Sequence, residues 1–192
     1  MKCSWKLLGG KQMLAEKIPY RYTKTELNQL LDSMVILIDT REKKTEHITD
    51  YLKDKGVPYK SKALTYGDYS FLLPADPEAG IQRDIYFNNE IVVERKRSLN
   101  ELSNNFTHDR TQFENELIRS SNGKTILLIE NVKGYQNIIK HNYRTDYKPK
   151  SFIGTLHSFK HRYDMEVMFI DQAYSGNFIY FTMHYWLREY LK

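Results

Sequence analysis

Asp68, Glu94 and Lys96 are the residues whose types and spacing could do chemistry together. Glu94 and Lys96 close the run Ile91-Val-Val-Glu-Arg-Lys96, which reads as a strand. In an extended chain alternate side chains share a face. The acid and the amine therefore project together, roughly 6 to 7 Å apart along the backbone, while Arg95 points to the other side. Two charges at the end of an apolar strand are costly to bury, and a divalent cation with a phosphate would compensate both. Asp68, which follows Gly67 at the start of another extended stretch, supplies a second carboxylate. Mg²⁺ takes one or two carboxylates, a backbone carbonyl, waters and a substrate phosphate; Asp68, Glu94 and the Arg95 carbonyl could give the protein's share, with Mn²⁺ as a substitute ion. Lys96 would sit beside a metal-bound water, where positive charge and partial desolvation lower its pKa enough to orient or deprotonate that water. The chemistry this arrangement suits is phosphodiester hydrolysis. By itself the pattern also fits a solvated Glu–Lys pair at a strand end with Asp68 in a turn.

These residues need elements to carry them. Met34-Val-Ile-Leu-Ile-Asp39 is a short apolar run ending in a carboxylate, as a buried strand would be. Ile48, Tyr51 and Leu52 at i, i+3, i+4 predict a helix over Thr45 to Lys55, stopped by Gly56. Tyr59 to Leu64 and Gly67 to Leu73 read as adjacent strands across a turn. Asp84 to Phe87, an Asn88-Asn89 turn and Glu90 to Lys96 follow. Ser98-Leu-Asn-Glu101 matches a capping box, so a helix should begin directly behind that strand. Further helices are expected over Asp109 to Ser120, Pro149 to Tyr163 and Gly176 to Leu191, with strands at Lys124 to Glu130 and Val167 to Asp171. The sum is an α/β fold, a mixed central sheet with helices on both faces. It occupies residues 34–192, behind a basic arm of residues 1–33 that ends in a short helix from Leu27 to Met34.

Bulk properties narrow the function classes. A chain of 192 residues hides roughly 70% of its unfolded surface on folding and needs no disulfide or structural metal. Its single cysteine, Cys3, excludes a disulfide framework and suits the cytoplasm or nucleus. No apolar run approaches the roughly 20 residues of a membrane span, and the N-terminus lacks the apolar core of a signal peptide, so neither membrane insertion nor secretion is expected. A net charge of +5 favours polyanionic partners.

Three blocks in order resemble the nuclease domain of the XPF-type structure-specific endonucleases, within the PD-(D/E)xK or restriction-endonuclease-like group. Asp39-Thr-Arg-Glu42 is similar to the first block, Gly67-Asp68-Tyr69 to the second, and Val93-Glu94-Arg95-Lys96 to the third. Asn105 to Glu114, with Asp109, Arg110 and Phe113, resembles the family's Asp-Gly-Arg segment. The resemblance implies that Asp68 and Glu94 bind metal and Lys96 serves the water. Asp39 and Glu42 would support the site, and Arg41, Arg95 and Arg110 would support it or grip phosphate. It further implies a metal-dependent DNA endonuclease acting on branched or flapped DNA, active as a homodimer or beside a heterodimer partner. Two other outcomes share the fold: a catalytically dead DNA-binding or partner subunit, and a restriction or junction-resolving enzyme. Where the family has an Asp four residues after its Lys, this chain has Asn100, which can accept a hydrogen bond but carries no charge.

Other signals carry less. Gly123-Lys124-Thr125 imitates the end of a P-loop but precedes a strand, so no nucleotide cofactor is expected. His157 and His161 lack a third ligand nearby and read as a surface pair. Tyr143 and Tyr147 lie among Lys140, Arg144, Lys148 and Lys150, either as a DNA-backbone tract or as a solvated basic face. The aromatic C-terminal helix is apolar around too much of its circumference for a solvent face, which places it in the core or at a dimer interface.

Overall fold

The computed structural model describes residues 22–120 and 122–192; residues 1–21 of the expected basic arm, with Cys3, lie outside them. The elements run α1 (Lys24–Ser33), β1 (Val35–Ile38), α2 (Glu46–Asp54), β2 (Tyr59–Ser61), β3 (Tyr69–Leu73), β4 (Ile85–Tyr86), β5 (Ile91–Lys96), α3 (Leu99–Phe106), α4 (Arg110–Arg119), β6 (Lys124–Glu130), α5 (Gly134–Ile139), α6 (Pro149–Arg162), β7 (Glu166–Ile170) and α7 (Ser175–Tyr190). Helix starts follow local chemistry. Thr23 and Glu26 close a reciprocal capping box on α1. At α3 the Ser98 hydroxyl accepts from the Glu101 amide at 3.2 Å, but Glu101 reaches back to the Arg97 amide at 3.0 Å instead of that of Ser98.

The strands form one mixed sheet in the order β2-β1-β3-β5-β6-β7, with β4 also paired to β3. β1 and β2 are parallel, as are β5, β6 and β7; β3 runs antiparallel to β1, β4 and β5. One expectation fails here. Tyr59 to Leu64 does not lie beside Gly67 to Leu73, because β1 comes between them. The α2 crossover lays β2 parallel to β1 on the outer edge, and the chain then returns over the strand ends to enter β3 on the other side.

Alternation along each strand divides the core in two. Ile36, Ile38, Tyr69, Phe71, Val93, Ile126 and Leu128 face α1, α2 and α7, whose Leu30, Ile48, Leu52, Ile179, Met183 and Leu187 close the larger cluster. Leu127 and Ile129 face the opposite way, against Leu99, Leu102, Phe106, Phe113, Leu117, Phe152, Leu156 and Phe159 of α3, α4 and α6. The C-terminal helix thus buries one stripe in the core and leaves Phe181 and Tyr185 exposed. Among the described residues no helix is long and apolar enough to cross a membrane.

Candidate active site

β5 lies between β3 and β6 and is buried along its whole length, yet it ends in three charged residues. The alternation is the expected one. Lys96 Nζ donates to Glu94 Oε1 at 2.7 Å on one face. Arg95 reaches α2 and β6 on the other. Asp68 is brought alongside by backbone bonds. Its amide donates to the Val93 carbonyl at 2.9 Å, and its carbonyl accepts from the Asp39 amide at 2.8 Å. Gly67 stands at φ +72°, where a Cβ would lie 2.7 Å from that of Val92, so only glycine lets the chain approach β5 this closely. The Asp68 Oδ2 then accepts from the Arg95 amide at 2.8 Å.

Asp68, Glu94 and Lys96 line one cleft with Arg41, Tyr66, Asn105, Gln112 and Glu116. Burial pushes the Asp68 carboxyl well above the ordinary range, and the carboxylates of Glu94 and Glu42 push it further. Lys96 departs from expectation. Burial pulls the ammonium down, but Glu94 and Asp68 outweigh it, so without a cation the amine is held above its ordinary value instead of below it.

The donor set suits a hard divalent ion. Asp68 Oδ1 and Glu94 Oε2 accept no hydrogen bond among the described residues, so each carboxylate keeps one oxygen for a ligand. The Arg95 carbonyl lies on the same strand edge as its amide, which faces Asp68. Asn105 Oδ1 is buried with no hydrogen-bond partner among the described residues, and Asn105 belongs to the same cleft. Among the described residues no group of three or more His, Cys, Asp or Glu could hold a metal, so an ion here would rest on two carboxylates, a carbonyl and waters.

The other expected residues are placed differently. Asp39 is 2% exposed and accepts from the Arg41 amide, the Arg41 guanidinium and the Leu64 amide, the last at 2.7 Å. Burial raises its pKa, and these bonds more than reverse the effect. It anchors the cleft's rim without lining the cleft. Arg41 lines it, with Nε and Nη2 tied to Asp39 and to the Leu64 carbonyl while 68% of the side chain stays exposed.

Of its two expected roles, supporting the site or gripping phosphate, Arg95 is placed for the first. Its side chain is 1% exposed, and its donors go to Glu42 at 2.6 Å, Glu130 at 3.1 Å and the Lys43 carbonyl at 2.8 Å. Glu42 also accepts from the Tyr69 hydroxyl. Arg110 pairs with Glu114 at 3.2 Å and lies over Phe159, outside the lining of the cleft. Asn100 Oδ1 accepts from the Arg144 amide at 2.6 Å and ties α3 to the segment between α5 and α6. Tyr143 and Tyr147 pack against Phe152, so these rings are turned inward instead of offered to bases. His157 and His161 are exposed.

Asn105, Gln112 and Glu116 were missed as site residues in their own right. Gln112 and Glu116 sit one turn apart, at i, i+4, but which side of α4 meets the cleft depends on how it crosses α3, which spacing does not encode.

The description "ERCC4 domain" fits residues 38–182. XPF from Aeropyrum pernix superposes with a TM-score of 0.57 at 19% identity, covering 80% of this chain and 65% of that one. A structure of the same protein in complex with DNA gives a TM-score of 0.56 at 16% identity, covering 81% of this chain and 65% of the other. This chain therefore spans about two thirds of that protein's length, and the shared fold is restriction-endonuclease-like. No curated protein matches.

Proposed function

Since the chain belongs to the ERCC4 domain family, we propose that it is a divalent-metal-dependent DNA endonuclease that hydrolyses branched or flapped DNA. One observation carries the proposal: Glu94 and Lys96 stand side by side on one face of β5, with Asp68 hydrogen-bonded to the backbone between them.

Asp68, Glu94 and the Arg95 carbonyl would hold Mg²⁺ or Mn²⁺, which when bound acidifies water and offsets the charge that develops on the phosphoryl oxygens. Arg41, pinned on Asp39 with Nη1 making no hydrogen bond among the described residues, holds a non-bridging phosphate oxygen at the rim. The carboxylate charge that keeps Lys96 protonated is balanced once a cation is present, and Lys96 then orients the attacking water through its Nζ. Asn105 Oδ1, buried in the cleft wall with no partner among the described residues, would accept a hydrogen bond from a water or ligand admitted there. Water oxygen bonds to phosphorus, the P–O3′ bond breaks, the 3′ oxygen leaves as a hydroxyl with a proton, and the other product keeps a 5′-phosphate.

Labelled fork, flap and plain duplex DNA incubated with Mg²⁺, Mn²⁺ or EDTA test this. Wild type should cut in either metal and not in EDTA. Glu94→Gln and Lys96→Ala should lose at least 100-fold in rate, within the range for a general acid–base group, while DNA affinity persists. Binding without cutting under every metal would instead assign an inactive DNA-binding subunit.

A further inference from the structure

The face of the sheet that carries Glu94 and Lys96 continues onto a half whose core, among the described residues, includes no helix. Strand registers establish this. Leu37 pairs with Lys60, and Leu72 with Tyr86, so these four share a face. Tyr69 pairs with Val93, and both point into the cluster under α1, α2 and α7, so Glu94 and Lys96 point the opposite way, as Leu37 and Leu72 do. Among the described residues the core beneath this half consists of Leu37, Leu64 and Leu72 with Val35 against them, and no described helix contributes to it.

Charge gathers on that surface. The Lys62 amide continues the pairing with β1 by donating to the Ile38 carbonyl, so Lys62 lies two residues beyond Lys60 on the same face. Lys62 Nζ is 4.7 Å and Lys60 Nζ 5.5 Å from the centroid of the Tyr86 ring, which is 39% exposed. Lys60 is 4.0 Å from Asp84, and Lys62 makes no ion pair among the described residues. Two ammonium groups on one ring repel each other, and a ring quadrupole does not cancel that charge. An anion would. The patch also connects to the cleft: Arg41 Nη2 donates to the Leu64 carbonyl at 3.0 Å, and Lys62 is two residues before Leu64, about 7 Å along an extended chain.

We propose that Lys60, Lys62 and Tyr86 form a subsite for an unpaired DNA strand leaving the cleft, with both lysines on phosphates and the tyrosine ring against a base. This rests on the nuclease reading. The occupant is single-stranded because a base can stack on an isolated ring only when it is splayed from its partner, whereas phosphate contacts alone would serve a duplex as well. Long lysine stems can leave the ring for phosphates without disturbing β2.

The test is anisotropy of labelled fork and plain duplex DNA in EDTA, followed by single-turnover cutting in Mg²⁺, for wild type, Tyr86→Leu and the Lys60→Ala/Lys62→Ala double variant, each checked for an unchanged melting temperature. Tyr86→Leu should weaken fork binding about 5- to 100-fold, as loss of one stacked base does, and leave duplex binding and duplex cutting in place. The lysine variant should lower the slope of log affinity against log salt by roughly 1 to 2. Wild-type affinity for the fork in both variants overturns the inference while the nuclease reading stands. Altered sedimentation with DNA affinity intact also overturns it and gives the face to a second copy of the chain. A wild type that neither binds nor cuts any DNA removes both.

Discussion

Asp68 is held at a cost to the metal-free protein, since burial, Glu94 and Glu42 disfavour its charge by more than Lys96 and the Arg95 amide favour it. A carboxyl raised in the folded state adds no penalty below its unfolded pKa near 4. The penalty grows as pH rises from there and is complete once pH passes the folded value. Asp68→Asn, which can still accept from the Arg95 amide, should therefore melt above wild type at pH 7 without metal, by about 2 to 4 °C per kcal/mol relieved. The gap should close as pH falls toward 4. Mg²⁺ should raise the melting temperature of wild type and not of the variant. Melting curves check all three, and a variant less stable than wild type at pH 7 would contradict the assignment. That Glu94 and Lys96 share a face was legible in the sequence because period-two alternation places side chains without knowledge of the fold. The ionisation of Lys96 was not, because it depends on the 2.7 Å contact with Glu94 and on Asp68 across the strand.

Arg95 acts between elements. From β5 it bonds the carboxylate of Glu42 and the backbone after it, and Glu130 of β6; Glu130 in turn accepts from Ser175 of α7 and pairs with His47 of α2. Removing the guanidinium leaves the buried carboxylate of Glu130 and the half-buried one of Glu42 short of their partner. Arg95→Met should cost about 3 to 5 kcal/mol in urea unfolding, the range for breaking a buried pair from one side. Adding Glu130→Gln should recover part of the loss, because one stranded charge is then neutral. Unchanged stability with lost DNA affinity would return Arg95 to the phosphate role. The sequence showed that Arg95 points away from Glu94 but not what it meets there, since Glu42, Glu130 and Ser175 are brought together by tertiary folding alone. The same limit explains β2. Its segment read as an extended stretch before a turn, but a nine-residue crossover helix decides which neighbour it pairs with.

At the scale of the molecule, the two helical layers are offset across the sheet: α1, α2 and α7 pack on one face, and α3, α4 and α6 cover the other toward β6 and β7. The cleft lies where the second layer ends, so one wall is α4 and the other the strand-end loop at Thr65 and Tyr66. Helix and strand types were readable from periodicity, whereas this offset was not, because local pattern says which side of a helix is apolar and not how far along a sheet it lies. The offset predicts uneven stability. Amides of β5 and β6, paired on both sides beneath helices, should exchange with deuterium only on global unfolding, while those of the edge strands β2 and β4 should exchange by local opening. Adding forked DNA in EDTA should slow exchange in β2, β4 and residues 62–67 and leave β7, at the far edge, unchanged. Protection confined to β7 would put the DNA on the opposite edge and separate the substrate from the face that holds Glu94 and Lys96.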